Sequence, residues 1–160
     1  MTRTLILLRH AKSAWPRDIP DAARPLAARG LRDAPAVGRW LAEHGPRIDL
    51  AVCSTAVRAM QTWELAGAQL YPTPRVRHNE SLYGASTEDL LTTIRELPVN
   101  VWTAILVGHN PGLQTLLTAL TGRYELIKTS TVAIITTSDD WEQSGAGWWK
   151  LETLTTPRGS

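Results

Sequence analysis

The sequence predicts an α/β fold, a three-layer α/β/α sandwich whose central sheet is mostly parallel with an antiparallel edge. Short apolar runs alternate with stretches of helical periodicity, the pattern of parallel strands joined by covering helices. Two of the runs, Leu5-Ile6-Leu7-Leu8 and Ala104-Ile105-Leu106-Val107, are apolar throughout, as buried strands are. The last two strand-like stretches are joined by a polar loop, which suits a hairpin at one side of the sheet.

Taken in order, residues 4–8 make the first strand. Residues 27–44 follow as a helix, with Ala34, Val37 and Leu41 at helical spacing and Gly45 as its stop; Pro35 inside it should kink or split it. Residues 49–53 make the second strand. A helix from about Thr55 to Leu70 carries Ala56, Met60, Trp63 and Leu70 on one face, and Gly67 on that face would allow close packing on the sheet. Tyr71-Pro72-Thr73-Pro74 breaks it, and a short strand over Arg75–His78 is expected. Ser86-Thr87-Glu88-Asp89 has the form of a capping box, ahead of an apolar face of Leu90, Leu91, Ile94 and Leu97 that Pro98 closes. Residues 103–107 are the next strand. Asn110 should cap a helix with Pro111 in its first position. Leu113, Leu116, Leu117 and Leu120 form that helix's buried stripe, and Gly122 ends it. Residues 131–137 and 148–154 are the closing hairpin.

The 160 residues suit one domain, residues 1–156, with 157–160 set apart as a tail that is either native or a tag remnant. A net charge of +2 is too small to argue for nucleic acid, although 14 of the 17 basic residues are arginine, which suits forked contacts with phosphate. The single cysteine, Cys53, lies in the apolar run Leu50-Ala51-Val52-Cys53 and is expected to be a buried structural thiol. The first apolar run is too short for a signal peptide and no stretch approaches a membrane span, so a cytoplasmic protein is expected by default.

The chemistry concentrates in three loops, each just past an apolar strand: Arg9-His10, Ser54-Thr55-Ala56-Val57-Arg58 and Gly108-His109-Asn110. If those strands are parallel, all three loops open on one side, where ligands of such sheets bind. Two histidines, two arginines and two helix N-termini would meet there, a set suited to a phosphoryl group. Singly, each histidine is more often structural than catalytic; jointly, beside arginines, they are hard to explain without an anion. Two histidines would also ligate zinc, but the arginines repel a cation and no HxH, HExxH or CxxC spacing occurs. No metal or cofactor is expected.

These segments resemble the histidine phosphatase superfamily, which includes the cofactor-dependent phosphoglycerate mutases. Arg9-His10-Ala11-Lys12-Ser13 is similar to the superfamily's Arg-His-Gly signature in the variant of the small SixA-type phosphohistidine phosphatases, where alanine replaces glycine. Cys53 to Thr62 resembles the segment with the second phosphate-binding arginine, Glu80-Ser81-Leu82-Tyr83-Gly84 the segment with the acid, and Gly108 to Gly112 the second histidine motif. The resemblance implies a phosphoglycerate mutase-like fold from Leu5 to about Leu154. It implies that His10 is the nucleophile, that Arg9, Arg58 and His109 hold the phosphoryl oxygens, and that Glu80 protonates the leaving group. Lys12, Ser13 and Asn110 would line the rim, and Trp15 would either contact substrate or pack against the protein edge. A phosphorylated signalling protein is the expected partner. A small phosphate ester and a non-catalytic phosphate-binding module are the alternatives.

Overall fold

A computed structural model describes residues 1–160. Its strands are β1 (Arg3–Arg9), β2 (Leu50–Cys53), β3 (Arg75–His78), β4 (Thr103–Gly108), β5 (Val132–Thr137) and β6 (Lys150–Thr155). Its helices are α1 (Ala28–His44), α2 (Val57–Gly67), α3 (Thr87–Arg95) and α4 (Gly112–Thr121). The six strands form one sheet in the order β3-β2-β4-β1-β5-β6. The pairs β3–β2, β2–β4 and β4–β1 are parallel; β1–β5 and β5–β6 are antiparallel. The expected sandwich with its antiparallel edge is the fold.

Strand side chains alternate between faces, so each central strand feeds two cores. Leu5, Leu7, Leu50, Val52, Leu106 and Ile135 point to the α3/α4 side, against Ile94, Leu113 and Leu117. Ile6, Leu8, Ala51, Cys53, Ile105 and Val107 point to the α1/α2 side, against Val37, Leu41, Trp63 and Ala66. Burial on both faces explains why these strands are apolar without alternation. Cys53 is fully buried, and burial pushes its thiol pKa up to about 12.

Helix ends follow local chemistry where the caps are strong. Ser86 and Asp89 form the reciprocal capping box of α3, and Gly122 ends α4 in the left-handed region at φ 72°. Elsewhere the structure corrects the sequence reading. Pro35 does not split α1, which runs unbroken from Ala28 to His44. The proline removes only the bond to the carbonyl of Leu31, whose residue is exposed, while Val37 and Leu41 beyond it anchor the helix in the core. Helix α2 starts at Val57 and stops at Gly67 rather than spanning 55–70: Ala56 is extended, and the N–H groups of Gln69 and Leu70 reach back only three residues, to Ala66 and Gly67. The N-cap position of α4 is Pro111, one residue later than expected, but the Asn110 side chain still caps the helix, its Oδ1 accepting the first-turn N–H of Gln114 at 3.2 Å. The tail is joined to the domain, since Arg158 donates to Asp33 Oδ2 (2.9 Å) and to the Thr129 carbonyl (3.1 Å), and the Gly159 N–H donates to Asp33 Oδ1 (2.9 Å).

Close helix approach occurs at Gly38, not at Gly67. A Cβ on Gly38 would lie 2.2 Å from the carbonyl oxygen of Ala66, so the glycine lets α1 and α2 touch backbone to backbone. A Cβ on Gly67 would meet only the ring of Trp63 on its own helix. Gly38→Ala should therefore destabilise the protein by about 1–3 kcal/mol, the usual cost of overpacking, despite alanine's better helix propensity. Urea unfolding measures this. An unchanged midpoint would show that the two helices part freely.

Candidate active site

The parallel register of β1 on β4 pairs Arg9 with Gly108. The next residue on each strand is a histidine, so His10 and His109 leave the sheet side by side, with ring centroids 5.2 Å apart. Strand β2 pairs Cys53 with Val107, which brings Ser54 to the same end. Arg58 follows in the first turn of α2. The three loops thus converge as their strand ends require, and Arg9, His10, Arg58 and His109 form one cluster.

Backbone ties fix His10. Its N–H donates to the Gly108 carbonyl (3.1 Å), and the N–H of Ser130 is shared between the carbonyls of Arg9 and His10. The ring's Nδ1 lies 2.8 Å from the Ala11 carbonyl. A carbonyl only accepts, so Nδ1 carries the proton and Nε2 keeps a free lone pair. Ala11 is held in turn by Thr62 of α2, whose hydroxyl accepts the Ala11 N–H at 2.9 Å.

The cluster is electropositive and largely buried. Burial first, then the neighbouring His109, Arg58 and Arg9, lower the His10 pKa to about 3. Burial and then Arg58 lower that of His109 to about 4. Both rings are therefore neutral at pH 7. Arg9 donates through Nη1 to the Ile127 carbonyl (3.1 Å). Within this cluster three buried nitrogens have no hydrogen-bond partner in the protein: Nε of Arg9, Nε of Arg58 and Nδ1 of His109.

Asp21 completes the site, and nothing local in the sequence marks it. It lies in the long β1–α1 connection, on a 3₁₀ turn over Asp21–Ala23. Arg58 donates through Nη1 to the Asp21 carbonyl (2.7 Å) and through Nη2 to Oδ2 (3.0 Å). The Tyr83 hydroxyl donates to the same Oδ2, and Arg24 Nε donates to Oδ1 at 3.0 Å. Tyr83, then Arg24 and Arg58, hold the Asp21 carboxyl well below the usual carboxylate range. Tyr83 also meets the His109 ring edge-on, with centroids 5.5 Å apart. A cavity of about 320 Å³ opens here, lined by Asp21, Arg58, Tyr83 and His109 together with Gly84, Ala85 and Asn110–Gly112.

The other expected site residues are placed as follows. Glu80 opens a 3₁₀ turn, Glu80–Leu82; its side chain is exposed and outside the lining of that cavity. Lys12 is exposed. Ser13 is buried and accepts from Arg24 Nη1 at 2.7 Å. Asn110 donates to the Ile127 carbonyl (2.8 Å) and accepts from the Gln114 N–H (3.2 Å), so it braces the segment that also receives Arg9. Trp15 lies 74% exposed with the Arg24 guanidinium stacked 3.5 Å from its centroid, which fits packing at the protein edge. No group of three or more His, Cys, Asp or Glu side chains is placed to hold a metal ion.

Residues 5–103 match the histidine phosphatase superfamily, branch 1. The chain belongs to that superfamily and is an enzyme of its phosphatase class. Within the superfamily it is SixA-like. A candidate phosphohistidine phosphatase SixA from Nakamurella multipartitia superposes with a TM-score of 0.87 at 30% identity, covering 98% of this chain and 97% of that one. Its counterpart from Agrobacterium tumefaciens gives 0.84 at 27% identity, covering 97% and 98%. An uncharacterized protein of Mycobacterium tuberculosis (strain ATCC 25618 / H37Rv) is 35% identical over 162 residues, covering 94% of this chain and 100% of its own length.

The two depressed histidines set a pH dependence. An unfolded histidine protonates near pH 6.5, so between that pH and about 4 the unfolded chain binds more protons than the folded one. Stability then rises with pH across this window and is lost as the pH falls through it. NMR of the ligand-free protein should show both rings still neutral at pH 5.5. Titration of either ring near 6.5 would contradict the burial and positive surroundings of the pair.

Proposed function

We propose that this chain is a phosphohistidine phosphatase that works through a phosphorylated His10. The observation that carries this reading is the trio of buried nitrogens without partners, the Nε–H donors of Arg9 and Arg58 and Nδ1 of His109, beside a neutral histidine. A buried donor left unpaired costs about 1–3 kcal/mol, and a phosphoryl group supplies the missing acceptors. His10 Nε2, with Nδ1–H held by Ala11, attacks phosphorus and forms a P–N bond as the bond to the leaving group breaks. Arg9, Arg58 and His109 take the charge that spreads over the phosphoryl oxygens. Water then attacks phosphorus, breaks the P–N bond and releases phosphate and free His10.

The leaving group decides between substrates. Asp21 is the one carboxylate lining the cavity, and three donors keep it ionised. It is a poor proton donor. An alkyl alcohol needs a proton on its departing oxygen, whereas a phosphorylated imidazole takes one from solution beforehand, since its pKa lies near neutrality. This favours phosphohistidine on a protein over a small phosphate ester. Glu80 is the remaining candidate acid for esters.

The test compares a phosphohistidine peptide, p-nitrophenyl phosphate and glycerol phosphate, with EDTA present throughout. The peptide should be turned over fastest and glycerol phosphate slowest. Acid quenching of phosphate linked to nitrogen loses the label and alkaline quenching keeps it; His10→Ala should carry no label at all. Label surviving in that variant, or activity that requires added metal, sinks the mechanism.

Glu80→Gln separates the ester reading from the preferred one. General acid catalysis contributes roughly 10²–10⁴-fold. A loss of that size confined to glycerol phosphate would make Glu80 the acid and the chain an esterase. Changes below about threefold on all three substrates are expected for a phosphohistidine enzyme, which has no use for that proton.

A further inference from the structure

We propose that Ser54 is a positioning residue that sets the tautomer of His109, so that Nδ1–H of His109 faces the phosphoryl group as a donor. The inference rests on the phosphatase reading above and adds a residue to it. Ser54 is fully buried at the end of β2. Its Oγ lies 2.7 Å from His109 Nε2. The same oxygen accepts the N–H of Ala56 at 3.2 Å.

A proton count decides the direction of the Ser54–His109 bond. The two groups share two protons, one on the hydroxyl and one on the neutral ring. In one arrangement the hydroxyl donates to Nε2 while accepting from Ala56, and the ring proton sits on Nδ1. Every atom of the serine is then satisfied, and the only unpaired group is Nδ1–H. In the other, Nε2–H donates to Oγ. The serine proton then has no acceptor in a buried place, and Nδ1 presents a bare lone pair. The first arrangement leaves one unmet group and the second leaves two. Each unmet group is costly when buried, so the first holds.

The consequence for the reaction is a matter of sign. Nδ1 is buried with no partner in the protein, on a ring 5.2 Å from that of His10. As N–H it donates to a phosphoryl oxygen. As a lone pair it would repel the same oxygen. Low basicity from burial keeps the ring from escaping this choice by protonating at both nitrogens. The serine hydroxyl, which never touches substrate, thus determines whether His109 helps or opposes transfer.

The direct test is the ¹⁵N spectrum of the His109 ring in the ligand-free wild-type chain at pH 7. Nδ1 should have the shift of a protonated ring nitrogen and Nε2 that of an unprotonated one, and inorganic phosphate should move the Nδ1 signal. Protonated Nε2 in the wild type would falsify the proposal outright. Ser54→Ala should shift the ring toward Nε2–H and lower kcat/KM about ten- to a hundredfold, the worth of a charged hydrogen bond, mainly through kcat. Ser54→Thr keeps a hydroxyl and should restore the wild-type tautomer. An unchanged tautomer in Ser54→Ala would show that something else sets it. If wild-type protein turns over no phosphate compound, the phosphatase reading fails, but the wild-type spectrum still decides the tautomer.

Discussion

The register of β1 against β4 is the constraint on which the site depends. Leu8 opposite Val107 and Arg9 opposite Gly108 make the two strands end level, and only level ends bring His10 and His109 together. A slip of one residue would turn Leu5 and Leu7 away from the α3/α4 core and Ile6 and Leu8 away from the α1/α2 core. The two dissimilar cores therefore lock the register, and the register aligns the histidines. Packing energy spread over dozens of apolar side chains is what holds two imidazoles about 5 Å apart in a position neither would take alone.

Crowding of positive charge is the second organising fact. Arg9 and Arg58 face one buried space, where burial first and then the Arg58 charge lower the Arg9 pKa. Asp21 is the counterweight. It spans 37 residues of sequence to meet Arg58 and 62 to meet Tyr83, and it leaves Nε of Arg58 free while occupying both terminal nitrogens. Its backbone carbonyl and carboxylate together orient the guanidinium without taking the donor an anion would need.

That distribution explains what was legible in the sequence. Strand ends, the Ser86 capping box, the leucine stripe of α4 and the four residues of the central cluster follow from local patterns, because each is set within a few positions of itself. Asp21 and Tyr83 were invisible as partners, since only the folded chain brings a 3₁₀ turn of the first connection over the start of α2. The Gly38–Ala66 contact was missed for the same reason: Gly67 has the right helical phase, but which helix passes which glycine is a tertiary matter. Pro35 misled because propensity counts the bond it removes and not the core contacts on either side of it. The role of Ser54 did have a signal, a small polar residue directly after an apolar strand, but its partner lies 55 residues away.

The state of Cys53 bears on the environments in which such chemistry survives. Phosphatases that attack with sulfur need a thiolate, and a thiolate is what peroxide consumes first. Here the attacking atom in the proposed reaction is a ring nitrogen. The sole thiol is enclosed in the sheet, with burial raising its pKa to about 12. Oxidants that silence sulfur-based phosphatases find no thiolate in this one, so its dephosphorylation would continue through oxidative stress.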